Sequence, residues 1–157
     1  MRILIDIATQ RLTLYKGKEI VRFYPCSTSR YGIGNLSGSN KTPLGLHTIV
    51  EKYGDNVPLG GIFSSRQFTG EIAAINETQL PSPEDHITSR ILRLAGLQEG
   101  VNKGGLVDSY DRYIYIHGTP DEGLIGSPAS HGCIRLKNAD VIELYEHVPV
   151  GTEVEII

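Results

Sequence analysis

Residues suited to nucleophilic chemistry stand together in the run S-P-A-S-H-G-C-I-R-L, residues 127–136, where Ser130, His131 and Gly132 lead into Cys133. A second histidine, His117, ends the β-prone run R-Y-I-Y-I-H-G-T and is followed by Gly118. A free thiol titrates at about pH 8.5, so it is a weak nucleophile at neutral pH until an imidazole takes its proton or pairs with its thiolate. His117 beside Cys133 would supply that imidazole, with a backbone carbonyl at or near Gly118 accepting the second ring N–H. Acyl transfer also needs donors for the developing oxyanion. The successive backbone N–H groups of His131, Gly132 and Cys133 are candidates, and Gly132 lets the chain come close to a substrate.

Two other readings of the same residues stand beside this one. A free cysteine is often a buried small hydrophobe. His117, His131 and Cys133 could also form a three-ligand zinc site. Their spacing matches none of the usual Cys/His zinc patterns and no second cysteine pairs with Cys133, so no metal or other cofactor is expected. The other cysteine, Cys26 in F-Y-P-C-S-T-S, lies in a strand-like run and reads as core packing. His47 and His86 have no partner in sequence, and His147 reads as a favourable charge at a helix C-terminus.

The elements that must position these groups are mostly strands. Residues 3–7 alternate apolar and polar, a turn falls near Thr9-Gln10, and 11–15 alternate again. Residues 20–26 read as a third strand, 46–53 as a fourth, and 112–119 as the strand that stops at His117-Gly118. The closing G-T-E-V-E-I-I points Glu153 and Glu155 outward and Val154 and Ile156 inward. Between the strands, 29–45 is rich in Gly, Ser and Asn and has the chemistry of a loop, long enough to be functional. Residues 54–86 read as irregular, and 54–85 as a candidate lid. Two helices are expected. In 86–97, Ile87, Ile91, Leu94 and Ala95 recur at helical spacing. In 138–148, Val141, Leu144, Tyr145 and Val148 share one face, Asn138 is a candidate N-cap, and Pro149 stops the helix. The expected fold is mainly β with two short helices, a single domain of β-sandwich type over 1–157.

The bulk numbers agree with that. A chain of 157 residues with 39% hydrophobic and 21% charged residues fits one ordinary globular domain. A net charge of −3 gives no basic surface for nucleic acid, and no basic amphipathic stretch points to a membrane surface. Asp6 breaks the N-terminal apolar run, so the start does not have the form of a signal peptide. With Met1 as the natural start the expectation is a cytoplasmic protein, where two cysteines are expected to stay reduced. The sequence leaves the oligomeric state open.

I-Y-I-H-G-T followed by S-H-G-C-I-R-L, with twelve residues between His117 and Ser130, resembles the signature of the L,D-transpeptidase catalytic domain, or YkuD domain, family. I-L-I-D-I-A-T-Q-R-L-T-L-Y-K-G-K-E-I-V-R-F-Y-P-C-S-T is similar to the opening hairpin region of that family, and K-T-P-L-G-L-H-T-I to its Thr-Pro-x-Gly segment. The resemblance runs nearly the whole chain and is weakest over 54–100. It implies a β-sandwich-like fold with a groove leading to Cys133 as nucleophile, His117 as its base and the Gly118 carbonyl as the group orienting the ring. It further implies that His131 and Gly132 shape the oxyanion turn and that Ser130 and Arg135 support the site or bind substrate. Many members carry Asn two residues after the cysteine, where this chain has Arg135.

The implied substrate is the bond between an L-centre of diaminopimelate and D-Ala in peptidoglycan stem peptides. The acyl-enzyme then passes to an amine, which is transpeptidation, or to water, which is carboxypeptidation. The carboxylates of such a substrate call for arginines, so Arg90, Arg93, Arg112 and Arg135 are candidate partners, with Tyr31 as a cover for the groove. Without an export signal, the expected activity is an L,D-carboxypeptidase trimming soluble muropeptides during wall recycling. The alternatives are a transpeptidase and an inactive muropeptide-binding domain.

Overall fold

The alternation at Ile3/Ile5 and Leu12/Leu14 builds the first hairpin. Strands β1 (Arg2–Asp6) and β2 (Arg11–Lys16) pair antiparallel with Ile3 opposite Leu14 and Ile5 opposite Leu12, all four fully buried. β3 (Glu19–Pro25) continues the meander. The structure is a computed structural model describing residues 1–157. On the other side of β1 the closing strand β10 (Glu153–Ile156) pairs in parallel, with β4 (Gly45–Tyr53) antiparallel to it. β4 pairs with β7 (Ile87–Gly96), β7 with β8 (Tyr115–Gly118), and β8 in parallel with β9 (Ile134–Leu136). A hairpin of β5 (Gly61–Ser64) and β6 (Gln67–Ile72) hangs on the first residues of β7.

The sheet curls back on itself. Beyond β3, Ser27 exchanges both backbone hydrogen bonds with Arg135 of β9 at 2.9 Å, so the first and last parts of the strand order meet. The inward faces of β1, β2, β4 and β7–β10 share one core with Val141, Leu144, Tyr145 and Val148 of helix α1 (Asn138–His147), as the sandwich-type expectation requires. Cys26 is in that core, fully buried and unpaired.

Three local expectations are corrected. The run at 86–97 is strand β7, not a helix. It is the central strand, buried on both faces, so Leu92 and Leu94 enter the main core while Ile91 packs with Phe63 and Tyr115 on the other face. An apolar run filled on both faces has no two-residue alternation, and its spacing then mimics a helix. The irregular segment contains the β5–β6 hairpin, whose two-residue turn Ser65-Arg66 takes positive φ at both positions (47° and 66°) without the Asn-Gly signature such turns usually carry. Asn138 does not cap α1. Lys137 holds the capping position with no side-chain bond, and Asn138 turns its amide into the interior.

Candidate active site

The parallel pairing of β8 and β9 assembles the site. His117 lies opposite Arg135 and Ile116 opposite Ile134. Continuing that register by one residue sets Cys133 beside Tyr115, whose N–H donates to Cys133 Sγ at 3.4 Å. Side chains alternate along a strand, so Tyr115, His117, Cys133 and Arg135 share one face while Ile116 and Ile134 fill the main core on the other. Cys133 and His117 are therefore diagonal neighbours across adjacent strands, near enough for long side chains to meet.

His117 is almost wholly buried, and its Nδ1–H donates to the Gly118 carbonyl at 2.6 Å. A carbonyl only accepts, so Nδ1 carries the proton and Nε2 keeps its lone pair. Gly118 cannot be replaced. A Cβ there would lie 2.5 Å from the Thr88 carbonyl of β7 and 2.9 Å from Asn138 Oδ1. Burial lowers His117 to about 4, with the Arg135 charge acting the same way and the Gly118 bond opposing it. The Cys133 thiol, part-exposed at the mouth of a cleft, donates to the Tyr113 carbonyl at 3.3 Å. Burial raises it to about 11, against the pull of the Tyr115 N–H, Arg135 and Arg112. In this resting arrangement both partners are neutral and no hydrogen bond joins Sγ to the ring.

The nucleophile turn is held by hydroxyls. Ser130 Oγ donates to the Cys133 carbonyl at 2.6 Å and accepts the Gly132 N–H at 3.2 Å. Thr42 Oγ1 donates to the Gly132 carbonyl at 3.0 Å and accepts the Ser29 N–H at 2.9 Å. Gly132 has φ 127°, and a Cβ would press on the Lys41 carbonyl at 3.3 Å. The Gly132 N–H is thus taken by Ser130. The N–H groups of His131 and Cys133 make no hydrogen bond, which leaves these two of the three anticipated donors free for an oxyanion.

Two clefts meet at His131. One, of about 220 Å³, is lined by Ser37, Asn40, Arg112, Ile114, His131 and Cys133. The other, of about 260 Å³, holds Arg30, Ser82, Asp85, Asp121, His131 and Arg135. A larger concavity of about 390 Å³ between the β5–β6 hairpin and the chain before β7 does not reach Cys133. Arg135 is 4% exposed and gives one N–H to Asp85 at 2.5 Å, while His131 Nδ1 lies 3.1 Å from the same carboxylate. Arg112 spends its guanidinium on the Lys41 and Gly34 carbonyls at 2.6 and 3.3 Å, bracing the long Gly-rich loop against the site. Tyr31, in that loop, is half-exposed and sets its ring 5.9 Å from that of His131.

Arg90 is not brought to the site. Its guanidinium is buried against the Ser89 and Val57 carbonyls at 2.6 and 2.7 Å and lies over the Tyr145 ring. Arg93 is equally committed, to the Tyr110 carbonyl and Glu51. The reason is β7, which carries both arginines as a buried central strand rather than an exposed helix face. His117, His131 and Cys133 do not converge on a common point that could hold a metal ion, because His131 turns outward to Asp85 and Tyr31.

Sequence reasoning missed Thr42, Asp85 and the Tyr113 carbonyl. Thr42 lies in the K-T-P-L-G segment quoted for the resemblance, which was a signal without a role. Asp85 lies in the segment read as irregular and had none. Of that segment, Asn76 and Ser82 are tied to the Asp121 carboxylate, and Asp85 reaches across to His131 and Arg135.

Comparison with known proteins sets this chain beside L,D-transpeptidases. A probable L,D-transpeptidase of Escherichia coli K12, YcfS, is 33% identical over 159 residues, covering 99% of this chain and 43% of the relative. The putative L,D-transpeptidase YkuD of Bacillus subtilis 168 is 39% identical over 84 residues, half of this chain and 46% of that protein. The chain thus spans less than half the length of these curated relatives. Among solved structures, an L,D-transpeptidase from Mycobacterium smegmatis matches 99% of this chain and 57% of its own with a TM-score of 0.56 at 23% identity, a likeness of fold. The model of the L,D-transpeptidase catalytic domain, YkuD, matches residues 1–156, and the chain belongs to that family.

Proposed function

We propose that this protein is a cysteine acyltransferase acting at the peptide bond between an L-centre and the terminal D-Ala of peptidoglycan stem tetrapeptides. The observation that carries the reading is the single face on which β8 and β9 set His117, fixed as the Nδ1–H tautomer, beside a Cys133 thiol at a cleft mouth with two unused backbone N–H donors. Sγ attacks the carbonyl while His117 Nε2 takes the thiol proton. The oxyanion forms toward the N–H groups of Cys133 and His131, each such donor being worth about 10²–10³ in rate. His117 then returns the proton to the leaving amine of D-Ala, leaving a thioester on Cys133. Arg135, with most of its N–H donors uncommitted beside a cleft, is the proposed partner of a substrate carboxylate, and Arg112 and Tyr31 shape the approach.

The acceptor proposed for the thioester is water, which makes the protein an L,D-carboxypeptidase converting soluble tetrapeptide to tripeptide in the cytoplasm during wall recycling. The second reading is an amine acceptor, giving cross-links or D-amino-acid exchange. It is favoured by the names of the relatives and by the two clefts that meet beside the nucleophile.

The test is mass spectrometry of a tetrapeptide muropeptide incubated with the protein, with and without an added D-amino acid. Loss of the terminal D-Ala is expected, with Cys133→Ala inactive and its melting temperature within a few degrees of wild type. Exchange or dimer products in place of tripeptide would establish the amine acceptor. An inactive wild type, or a fully active Cys133→Ala, would remove the acyltransferase reading altogether.

A further inference from the structure

We infer that Thr42 is a positioning residue for acylation, acting through the Gly132–Cys133 peptide to aim the oxyanion donor. The Gly132 carbonyl and the Cys133 N–H belong to one planar trans peptide and must point in opposite directions. Thr42 Oγ1 holds that carbonyl at 3.0 Å, so the Cys133 N–H is turned away from the Thr42 segment, where nothing else in the protein accepts it. The hydroxyl rotor has no alternative. Oγ1 receives the Ser29 N–H at 2.9 Å, which commits one lone pair and leaves its proton for Gly132. Thr42 is itself fixed, fully buried, with its N–H donating to the Gly32 carbonyl and its carbonyl accepting the Gly34 N–H, both at 3.0 Å. Pro43 follows and keeps Thr42 extended.

The peptide needs this restraint. Gly132, at φ 127° and without a Cβ, has the freedom to let the 132–133 peptide rotate. Ser130 fixes the peptide units on either side, through the Gly132 N–H and the Cys133 carbonyl, but makes no bond to the unit between them. Only Thr42 holds that one. A flipped peptide would face the developing oxyanion with a carbonyl in place of an N–H, turning stabilisation into repulsion.

The inference rests on the acylation of Cys133 and not on which peptide is cleaved, so the test uses two small probes. p-Nitrophenyl acetate acylates a thiol through a tetrahedral oxyanion: the S–C bond forms, the ester C–O bond breaks, p-nitrophenolate leaves, and the thiol proton goes to His117. Iodoacetamide alkylates the same sulfur by displacing iodide, with no oxyanion. Thr42→Val is expected to slow acylation by roughly 10²–10³-fold, the scale of one lost oxyanion donor. Alkylation should stay within about threefold of wild type, and Thr42→Ser should restore acylation. Equal slowing of both reactions in Thr42→Val, or unchanged acylation, would overturn the positioning role. If Thr42→Val does not fold, Thr42→Ala, which also removes the hydroxyl and adds no thiol for the probes to label, is expected to show the same split, and its absence counts equally against the role. Wild-type protein that p-nitrophenyl acetate labels no faster than Cys133→Ala would instead strike at Cys133 as the nucleophile, a different failure with a different signature.

Discussion

At the scale of single residues, the neutral thiol and neutral imidazole determine where acid stops the reaction. As the proposed base, His117 can work only while Nε2 is unprotonated. Burial lowers it from 6.5 to about 4, so the acid limb of kcat/KM is expected near pH 4–5 and not at the 6.5 of an exposed histidine. Arg135 helps hold it down, so Arg135→Met should move that limb to higher pH whatever it does to KM. A pH–rate profile of both proteins checks this, and a wild-type limb at 6.5 or an unmoved limb in the variant would contradict it. The identities of Cys133, His117, Gly118 and Ser130 were legible because a short motif states residue types in the order in which a strand end and a turn use them. The restraint of Gly132 by Thr42 and of Arg135 by Asp85 was not. Those bonds span 90 and 50 residues and leave no local periodicity to read.

At the scale of elements, the strand that carries His117 is registered by one side chain that was expected to do something else. Asn138 is fully buried at the start of α1. Its Oδ1 accepts from Thr88 Oγ1 and Ser89 Oγ at 2.5 and 2.6 Å, and its Nδ2 donates to the Thr119 carbonyl and Glu122 at 2.9 and 2.8 Å. It thereby ties the helix to the bulge of β7, where Ser89 has φ 68°, and to the chain leaving His117-Gly118. Asn138→Ala strands several buried polar groups, which is expected to cost about 2–4 kcal/mol in urea unfolding and to lower kcat through displacement of Gly118. A loss under about 0.5 kcal/mol would show that water or rotamer changes replace these bonds. Before the structure, Asn138 carried the commonest meaning of its type, a cap before an amphipathic run. β7 likewise carried the spacing of a helix. In both cases tertiary burial overrode a local preference. β1, β2, β4 and β10 were readable because each alternates a buried with a less buried face over much of its length.

At the scale of the whole molecule, the curled sheet closes over two histidines, and this links folding to pH. His47 is fully buried, with one ring nitrogen on the Gly45 carbonyl at 3.0 Å and the other on Ser109 Oγ at 2.8 Å, and burial lowers it to about 4. His117 is lowered to about the same value. In the unfolded chain both return to 6.5, so between pH 6.5 and 4 the unfolded state binds more protons and stability falls as pH falls. Above pH 6.5 neither group contributes a slope. At about 1.4 kcal/mol per unit, each histidine removes on the order of 2–3 kcal/mol by pH 4, together a large part of the roughly 5–15 kcal/mol that holds a domain folded. The urea midpoint is therefore expected to be flat from pH 8 to 7 and to drop steeply from 6 to 4.5. His47→Gln, which cannot titrate, should remove about half of that drop while leaving the acid limb of catalysis in place, since in the proposed mechanism only His117 serves as base. A midpoint insensitive to pH over this range would mean that both rings accept a proton without leaving their buried sites. A drop that persists whole in His47→Gln would trace the acid lability to His117 together with carboxylates held low in the fold, such as Glu51, Asp108 and Glu143.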